Sequence, residues 1–202
     1  MAPKKKQTKP MRGVTAEDGT SFARFERSAL ELFVVQSIDS TTTKQIAAKA
    51  GQSEGLLYRY VSSKNVLAEN MFFKQHESLA SLVRDTSKSA GTINEKAQTI
   101  VDAYIQCADD DWTLFSYHIL NSHRFLRQDR SIDNPVDAVE DILREAMEKK
   151  EIPSGSPVLI SSMALGAVLQ PAYHKAYGRL EGSLSDYADP IIRSVLAIVY
   201  QK

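Results

Sequence analysis

The sequence predicts an all-α protein of about nine helices. Three observations lead there. Apolar residues recur at spacings of three and four, and no stretch alternates apolar and polar residues as a half-buried strand would. Helix-start signatures punctuate the chain: Thr42-x-x-Gln45 and Thr92-x-x-Glu95 fit the capping box, and Asn134-Pro135 sets a cap residue before a proline at the first helical position. The composition, 43% hydrophobic and 25% charged with 9 Gly and 7 Pro in 202 residues, suits a chain that buries a core rather than a low-complexity one.

Residues 1–19 carry Lys4, Lys5, Lys6, Lys9 and Arg12 with Pro3 and Pro10, and are expected to form a flexible basic arm. A first helix over 21–36 lines up Phe22, Phe25, Ala29, Leu32 and Phe33 on one face. The capping box at Thr42 opens a short second helix through Ala50, which Gly51 ends. Ser53 caps a third over 54–60, and Ser62 or Ser63 a long fourth reaching Lys88. The fifth runs from Thr92 to Ala108. Asp109, Asp110 and Asp111 then suit the start of the sixth, over 112–126, where the helix dipole favours negative charge. The seventh runs from Pro135 to Lys150, with Glu140–Arg144 and Glu145–Lys149 as favourable pairs on its wet side. The eighth spans 157–177 and stops at Gly178; the last runs from Asp186 or Asp189 to Tyr200.

Several function classes drop out. Cys107 is the only cysteine, so no disulfide framework or cysteine-based metal site is expected, and a reduced, cytoplasmic setting fits. The basic N-terminus lacks the apolar stretch of a secretory signal. The longest segment free of Asp, Glu, Lys and Arg, 152–174, is too rich in Ser and Pro to span a membrane. Gly-rich phosphate loops, His-Glu-x-x-His, Gly-x-Ser-x-Gly and Cys-x-x-Cys are all missing, so an enzyme is not expected. His118 and His123 stand five apart on different helix faces, so no metal and no cofactor are expected.

The informative stretch is Thr41 to Lys64, TTTKQIAAKAGQSEGLLYRYVSSK. A helix-turn-helix needs a small residue where the second helix crosses the first, a turn residue tolerant of φ > 0, and an apolar residue pointing back across the crossing. Ala47, Gly51 and Leu57 meet these needs, with Ile46, Ala50 and Val61 adding contacts. The third helix then exposes Ser53, Glu54, Gly55, Leu56, Tyr58, Arg59 and Tyr60. Its small first turn can enter a major groove. Tyr58, Tyr60 and Lys64, with Thr42, Thr43 and Lys44 opening the second helix, can reach phosphates.

This segment resembles the DNA-binding half of the TetR family of bacterial regulators. The pattern is carried by Leu32-Phe33, Thr42-Thr43, Ile46-Ala47, Ala50-Gly51, Gly55-Leu56-Leu57-Tyr58-Arg59-Tyr60-Val61 and Ser63-Lys64, within about a quarter of the chain, residues 22–73. The resemblance implies that Thr43, Tyr58, Tyr60 and Lys64 contact phosphate while Glu54 to Leu56 lie against base edges. Three positions depart from the pattern: Glu54 stands where many members are basic, Val61 where Phe is usual, and Ser37 where many have Gly. Glu54 could accept from a cytosine amino group or point away; Ser37 and Val61 read as mild packing changes.

The resemblance also implies an organisation: the arm over 1–19, a DNA-binding domain over 20–64, and an effector-binding and dimerisation domain over 65–202. It implies a regulator, most often a repressor, that binds a pseudo-palindromic operator as a homodimer and is released by a small-molecule effector. The fourth helix would link the pocket to the DNA-binding part. Leu159, Ser162, Leu165, Gly166 and Leu169 on the eighth helix, with Ile192, Val195, Leu196 and Val199 on the ninth, form faces suited to a four-helix interface. Trp112, Phe115, Tyr117, His118, Phe125, Met163, Tyr173 and Tyr177 are candidates for the effector pocket; the competing reading for each is plain core. The competing function is a helix-turn-helix protein controlled by a protein partner or by no effector.

Averaged over the whole chain, equal numbers of basic and acidic residues, 25 each, argue against nucleic acid. The charges are segregated, however. Residues 1–64 hold 11 Lys and Arg against 6 Asp and Glu, and residues 65–202 hold 14 against 19. The basic third can meet phosphate and the acidic remainder should stand off the duplex.

Overall fold

A computed structural model describes residues 19–89, 91–126 and 133–201. Apart from Gly19, the basic arm lies outside them. The described residues form nine α-helices: α1 Ser21–Ser40, α2 Thr43–Lys49, α3 Glu54–Leu57, α4 Lys64–Ser89, α5 Ile93–Asp110, α6 Trp112–Phe125, α7 Pro135–Glu148, α8 Pro157–Ala176 and α9 Ala188–Val199. A short 3₁₀ turn, Ser185–Tyr187, precedes α9. Among the described residues no helix is long and apolar enough to cross a membrane.

The expected caps form. Thr42 and Gln45 close their capping box, as do Thr92 and Glu95, and Asn134 caps α7 ahead of Pro135. Gly51, at φ 64°, ends α2 in a Schellman arrangement: Gln52 N–H donates to Ala47 O and Gly51 N–H to Ala48 O. Three local expectations need correction. Helix α3 stops at Leu57, and Tyr58 to Tyr60 form a turn. Asp109 and Asp110 end α5, and only Asp111 caps α6; the Asp109 carboxylate instead accepts from the backbone N–H groups of Leu184 and Ser185. Arg144 pairs with Asp141 at 2.6 Å rather than with Glu140, whose carboxylate accepts from Ser161. The pair Lys149–Glu145 is present.

Helix α1 runs four residues beyond the expected end, through a kink at Ser37 (φ 72°, ψ 161°) that tucks Ile38 inward. This backbone region is essentially open only to glycine and costs a residue with a Cβ on the order of 1–3 kcal/mol. Ser37 is therefore a strained backbone position, not the mild packing change its sequence context suggests. Ser37→Gly is expected to raise stability by about 1 kcal/mol, roughly 2–4 °C in melting temperature. A thermal melt showing no gain would contradict the strain.

Two hydrophobic clusters meet along α4 and α6. The first gathers Phe25, Leu30, Phe33, Ile46, Leu57 and Val61 with Leu67, Met71 and Phe72 of α4 and Leu114, Tyr117 and Phe125 of α6. The second joins α5, α7, α8 and α9 to Leu79 of α4 and to Phe115 and Ile119 of α6. Polar ties reinforce the junction: Arg27 Nη1 lies 2.7 Å from Asp111, Arg124 holds Asp39 through two bonds of 2.9 and 3.0 Å, and the buried Tyr117 hydroxyl donates to Ala68 O at 2.7 Å.

Candidate nucleic-acid interface and ligand cavity

The crossing of α2 and α3 is built as small against large. Ala47 and Leu57 are buried, Gly51 supplies the turn, and Val61 closes the base. What this leaves outward is a compact polar face. Ser53 caps α3, its hydroxyl accepting from Leu56 N–H at 3.2 Å. Ser53, Gly55, Tyr58, Arg59 and Tyr60 are exposed, as are Thr42 and Lys44; Glu54, Leu56, Thr43 and Lys64 are half-buried.

Two contacts at this face escape sequence reasoning. Thr43 Oγ1 donates to Glu54 Oε1 at 2.5 Å and lies 3.2 Å from the Tyr58 hydroxyl. Glu54 therefore neither points away nor hangs free; it ties the start of α2 to the start of α3. Lys64 Nζ donates to the carbonyls of Asp39 (2.7 Å) and Thr41 (2.6 Å), so its ammonium clamps the α1–α2 turn rather than reaching outward. No sequence pattern links residues 23 to 25 apart in this way. The Tyr60 ring rests on Phe22, centroids 5.1 Å apart. Lys44 and Arg59 make no ion pair among the described residues and are the cations this face offers.

The second half holds a cavity of about 220 Å³. It lies among α4 to α9, with His76 and Val83 from α4, Tyr104 from α5, His118 and Ser122 from α6, Val139 from α7, Leu165 and Tyr173 from α8, and Val195 and Val199 from α9 on its wall. Among the described residues no Asp, Glu, Lys or Arg lines it. Of the eight pocket candidates, only His118 and Tyr173 reach it. Trp112 and Phe115 stack on each other, and Lys175 sits over the Trp112 ring. Tyr117 and Phe125 belong to the first cluster, Met163 contacts Gln201, and Tyr177 is exposed. Aromatic content misled here: the large rings are core or surface, while the wall is mostly aliphatic.

At the cavity wall His76 Nδ1 and His118 Nε2 are 3.1 Å apart, and both rings are buried. Burial lowers both imidazole pKa values, that of His118 to about 3 with the neighbouring His76 adding to it. For His76, an Asn134 side-chain hydrogen bond and the charges of Asp133 and Asp137 oppose burial. Cys107 is buried and its thiol is pushed up to about 12, so it remains a thiol. No group of three His, Cys, Asp or Glu among the described residues could hold a metal.

The interface candidates divide. Leu159, Ser162 and Gly166 face outward on α8. Leu165 and Leu169 turn to the cavity. On α9 Ile192, Val195 and Val199 are buried within the subunit and Leu196 is half-buried. Helix α9 spends its apolar face on its own core, which leaves Arg193, Ser194, Ala197 and Tyr200 outward.

Residues 27–71 match the family model of bacterial regulatory proteins of the tetR family. No curated protein matches the chain in sequence. Solved structures share the fold. The fatty acid degradation regulator FadR from Bacillus halodurans superposes with a TM-score of 0.74 at 16% identity, over 88% of this chain and 95% of that one. FadR from Bacillus subtilis in complex with stearoyl-CoA gives 0.73 at 16%, over 87% and 98%. The ketosteroid transcriptional regulator of Mycobacterium tuberculosis gives 0.70 at 19%, over 93% and 96%. Residues 27–71 thus carry the helix-turn-helix module of bacterial regulatory proteins of the tetR family, and the whole chain shares the fold of these regulators.

Proposed function

We propose that the protein is a ligand-responsive transcriptional regulator, a repressor, that binds a pseudo-palindromic operator as a homodimer in the cytoplasm and is released by a small-molecule effector. The observation that carries this reading is the position of the apolar cavity. Its wall includes α4 and α6, the two helices that also enter the core of the helix-turn-helix end. On α4, His76 at the cavity and Lys64 at the α1–α2 turn lie twelve residues apart, roughly 18 Å along the helix. A ligand that displaces His76 therefore acts on the element that clamps Thr41. It shifts the population toward a DNA-incompetent state by no more than its differential affinity.

In the dimer each subunit sets α3 into one half-site, the two about 34–36 Å apart. The outward faces of α8 and α9, with Leu159, Ser162 and Gly166, form the contact. The domains follow as 1–19, 20–64 and 65–202, with α6 contributing to the core of the middle one. The apolar cavity favours this over a helix-turn-helix protein without an effector, whose helical core would be filled.

Selection from random duplex DNA tests the proposal: the full chain is expected to enrich an inverted repeat, bound by two copies. Absence of salt-dependent DNA affinity would remove the reading. Residue roles separate by salt. Arg59→Ala and Lys44→Ala are each expected to reduce the slope of log K against log salt by about 0.9. Lys64→Ala is expected to weaken binding to every sequence with the slope unchanged, because its ammonium positions Thr42 to Lys44 through backbone carbonyls. A drop in slope for Lys64→Ala would instead assign it to a phosphate.

A further inference from the structure

Glu54, the first residue of α3, is the only carboxylate in residues 41–60. It makes no ion pair among the described residues, although Lys44 and Arg59 on the same face are unpaired too. A neutral hydroxyl holds it instead: Thr43 Oγ1 donates to Glu54 Oε1 at 2.5 Å. A threonine hydroxyl has one proton to give, so in the 3.2 Å contact between Thr43 and Tyr58 it is the Tyr58 hydroxyl that donates. The chain from Tyr58 through Thr43 to Glu54 points both protons toward the carboxylate and fixes one of its oxygens. The other, Oε2, meets no donor among the described residues, and it is not buried.

The surroundings of Glu54 admit a base. Ser53 is small and exposed, and Gly55 has no side chain and open space about it. In a helix-turn-helix the first residues of the second helix are those that reach base edges in the major groove. A carboxylate can only accept there, and it repels other acceptors. Guanine presents N7 and O6 in that groove and thymine presents O4, all acceptors. Adenine and cytosine each present an amino group. That of adenine lies between two acceptors, its own N7 and O4 of the paired thymine, while that of cytosine has an acceptor on one side only.

We infer that Glu54 is a specificity residue that reads a cytosine in each half-site, Oε2 accepting from the N4 amino group while Thr43 holds Oε1 as a positioning residue. This rests on the protein binding an operator through α3.

Selection from random duplex DNA, run side by side on the full chain and its variants, tests it. The wild-type chain is expected to prefer cytosine at one position of each half-site by roughly tenfold. Glu54→Gln, which still offers Thr43 an oxygen, should move that position to adenine, whose N6 and N7 match an amide. Glu54→Ala should flatten that position and leave the others as they are. Thr43→Val, which frees the carboxylate, should cut the cytosine preference to about threefold. A second readout needs no variant: in the selected operator, that cytosine is replaced by the 2-pyrimidinone nucleoside, which lacks the amino group. The wild-type chain should then lose about tenfold in affinity, and Glu54→Ala no more than about twofold. An inverted repeat whose base preferences are the same for the wild type and Glu54→Ala overturns the inference and leaves the regulator reading standing. Guanine or thymine at the position that Glu54 controls does the same. Absence of salt-dependent DNA affinity removes both.

Discussion

Phe72→Ala is expected to lower stability by about 3–5 kcal/mol, the range for removing a fully buried aromatic ring from a core. The ring is fully buried, and its neighbours come from both helices that join the two ends of the molecule. Phe73 lies edge-on at 5.3 Å, Phe125 of α6 at 4.9 Å, His118 of α6 at 4.7 Å and His76 of α4 at 5.7 Å. Truncation opens a void that none of these can fill without leaving its other contacts. Against a typical total of about 5–15 kcal/mol, the loss is a large fraction, roughly 10 °C in melting temperature. Urea unfolding of the variant checks it. Phe72→Leu, which keeps most of the volume, should cost about 1–2 kcal/mol. A loss under about 1 kcal/mol for Phe72→Ala would mean that the cluster is loosely packed and that α4 and α6 are not coupled through it.

The same ring shows where sequence reasoning stops. Helix periodicity, capping boxes and the Ala47–Gly51–Leu57 phase are local, and the structure carries them almost residue for residue. They concern groups at most about a turn or two apart in the chain, where backbone geometry dictates the contact. The cavity depends on side chains from six helices, and the residues that meet there have no spacing rule between them. His76 and His118 are 42 positions apart and bond at 3.1 Å. Choosing pocket residues by aromatic content failed because large rings fill space: Tyr117 and Phe125 complete the first core, and the void is left where Val, Ala and Leu line the wall. Helix α9 shows a related limit. Its apolar stripe is real, but a stripe does not say whether the covering surface belongs to the same subunit. Here Ile192, Val195 and Val199 are covered from within.

Ser37 and Lys64 teach a second lesson about motif transfer. A motif gives residue types, while the bonds are set by the backbone around them. The serine where many relatives have glycine keeps the kink and bears its strain. The lysine expected at phosphate closes the turn behind Thr42. Both act on residues 37–42, the kinked end of α1 and its turn into α2, which set how Thr43 and Tyr58 are presented. Substitutions there should change affinity for all operators together rather than sequence preference.

Acid should destabilise the protein well before its carboxylates titrate. The His118 ring is neutral in the folded state, its pKa held at about 3 by burial and by His76, against about 6.5 for an unfolded histidine. Above pH 6.5 neither state binds the proton and the group is silent. As the pH falls below 6.5 the unfolded chain takes up a proton that the folded chain refuses, so stability drops by up to about 1.4 kcal/mol per pH unit, down to the folded pKa. His76 adds in the same direction over the upper part of that range, since its own shift is downward. Glu31, Glu95, Glu145, Asp39 and Asp133, whose pKa values all lie below the usual carboxylate range, lose their favourable pairs only at lower pH. The interval from pH 6.5 to 5 therefore isolates the histidines, and the loss across it should be on the order of 2 kcal/mol or more. Urea midpoints measured at several pH values read it directly. In His118→Phe the decline should be much shallower, since the group that refuses the proton is gone. Stability that stays flat from pH 7 to pH 5 would mean that the imidazole pair is solvated in the folded state.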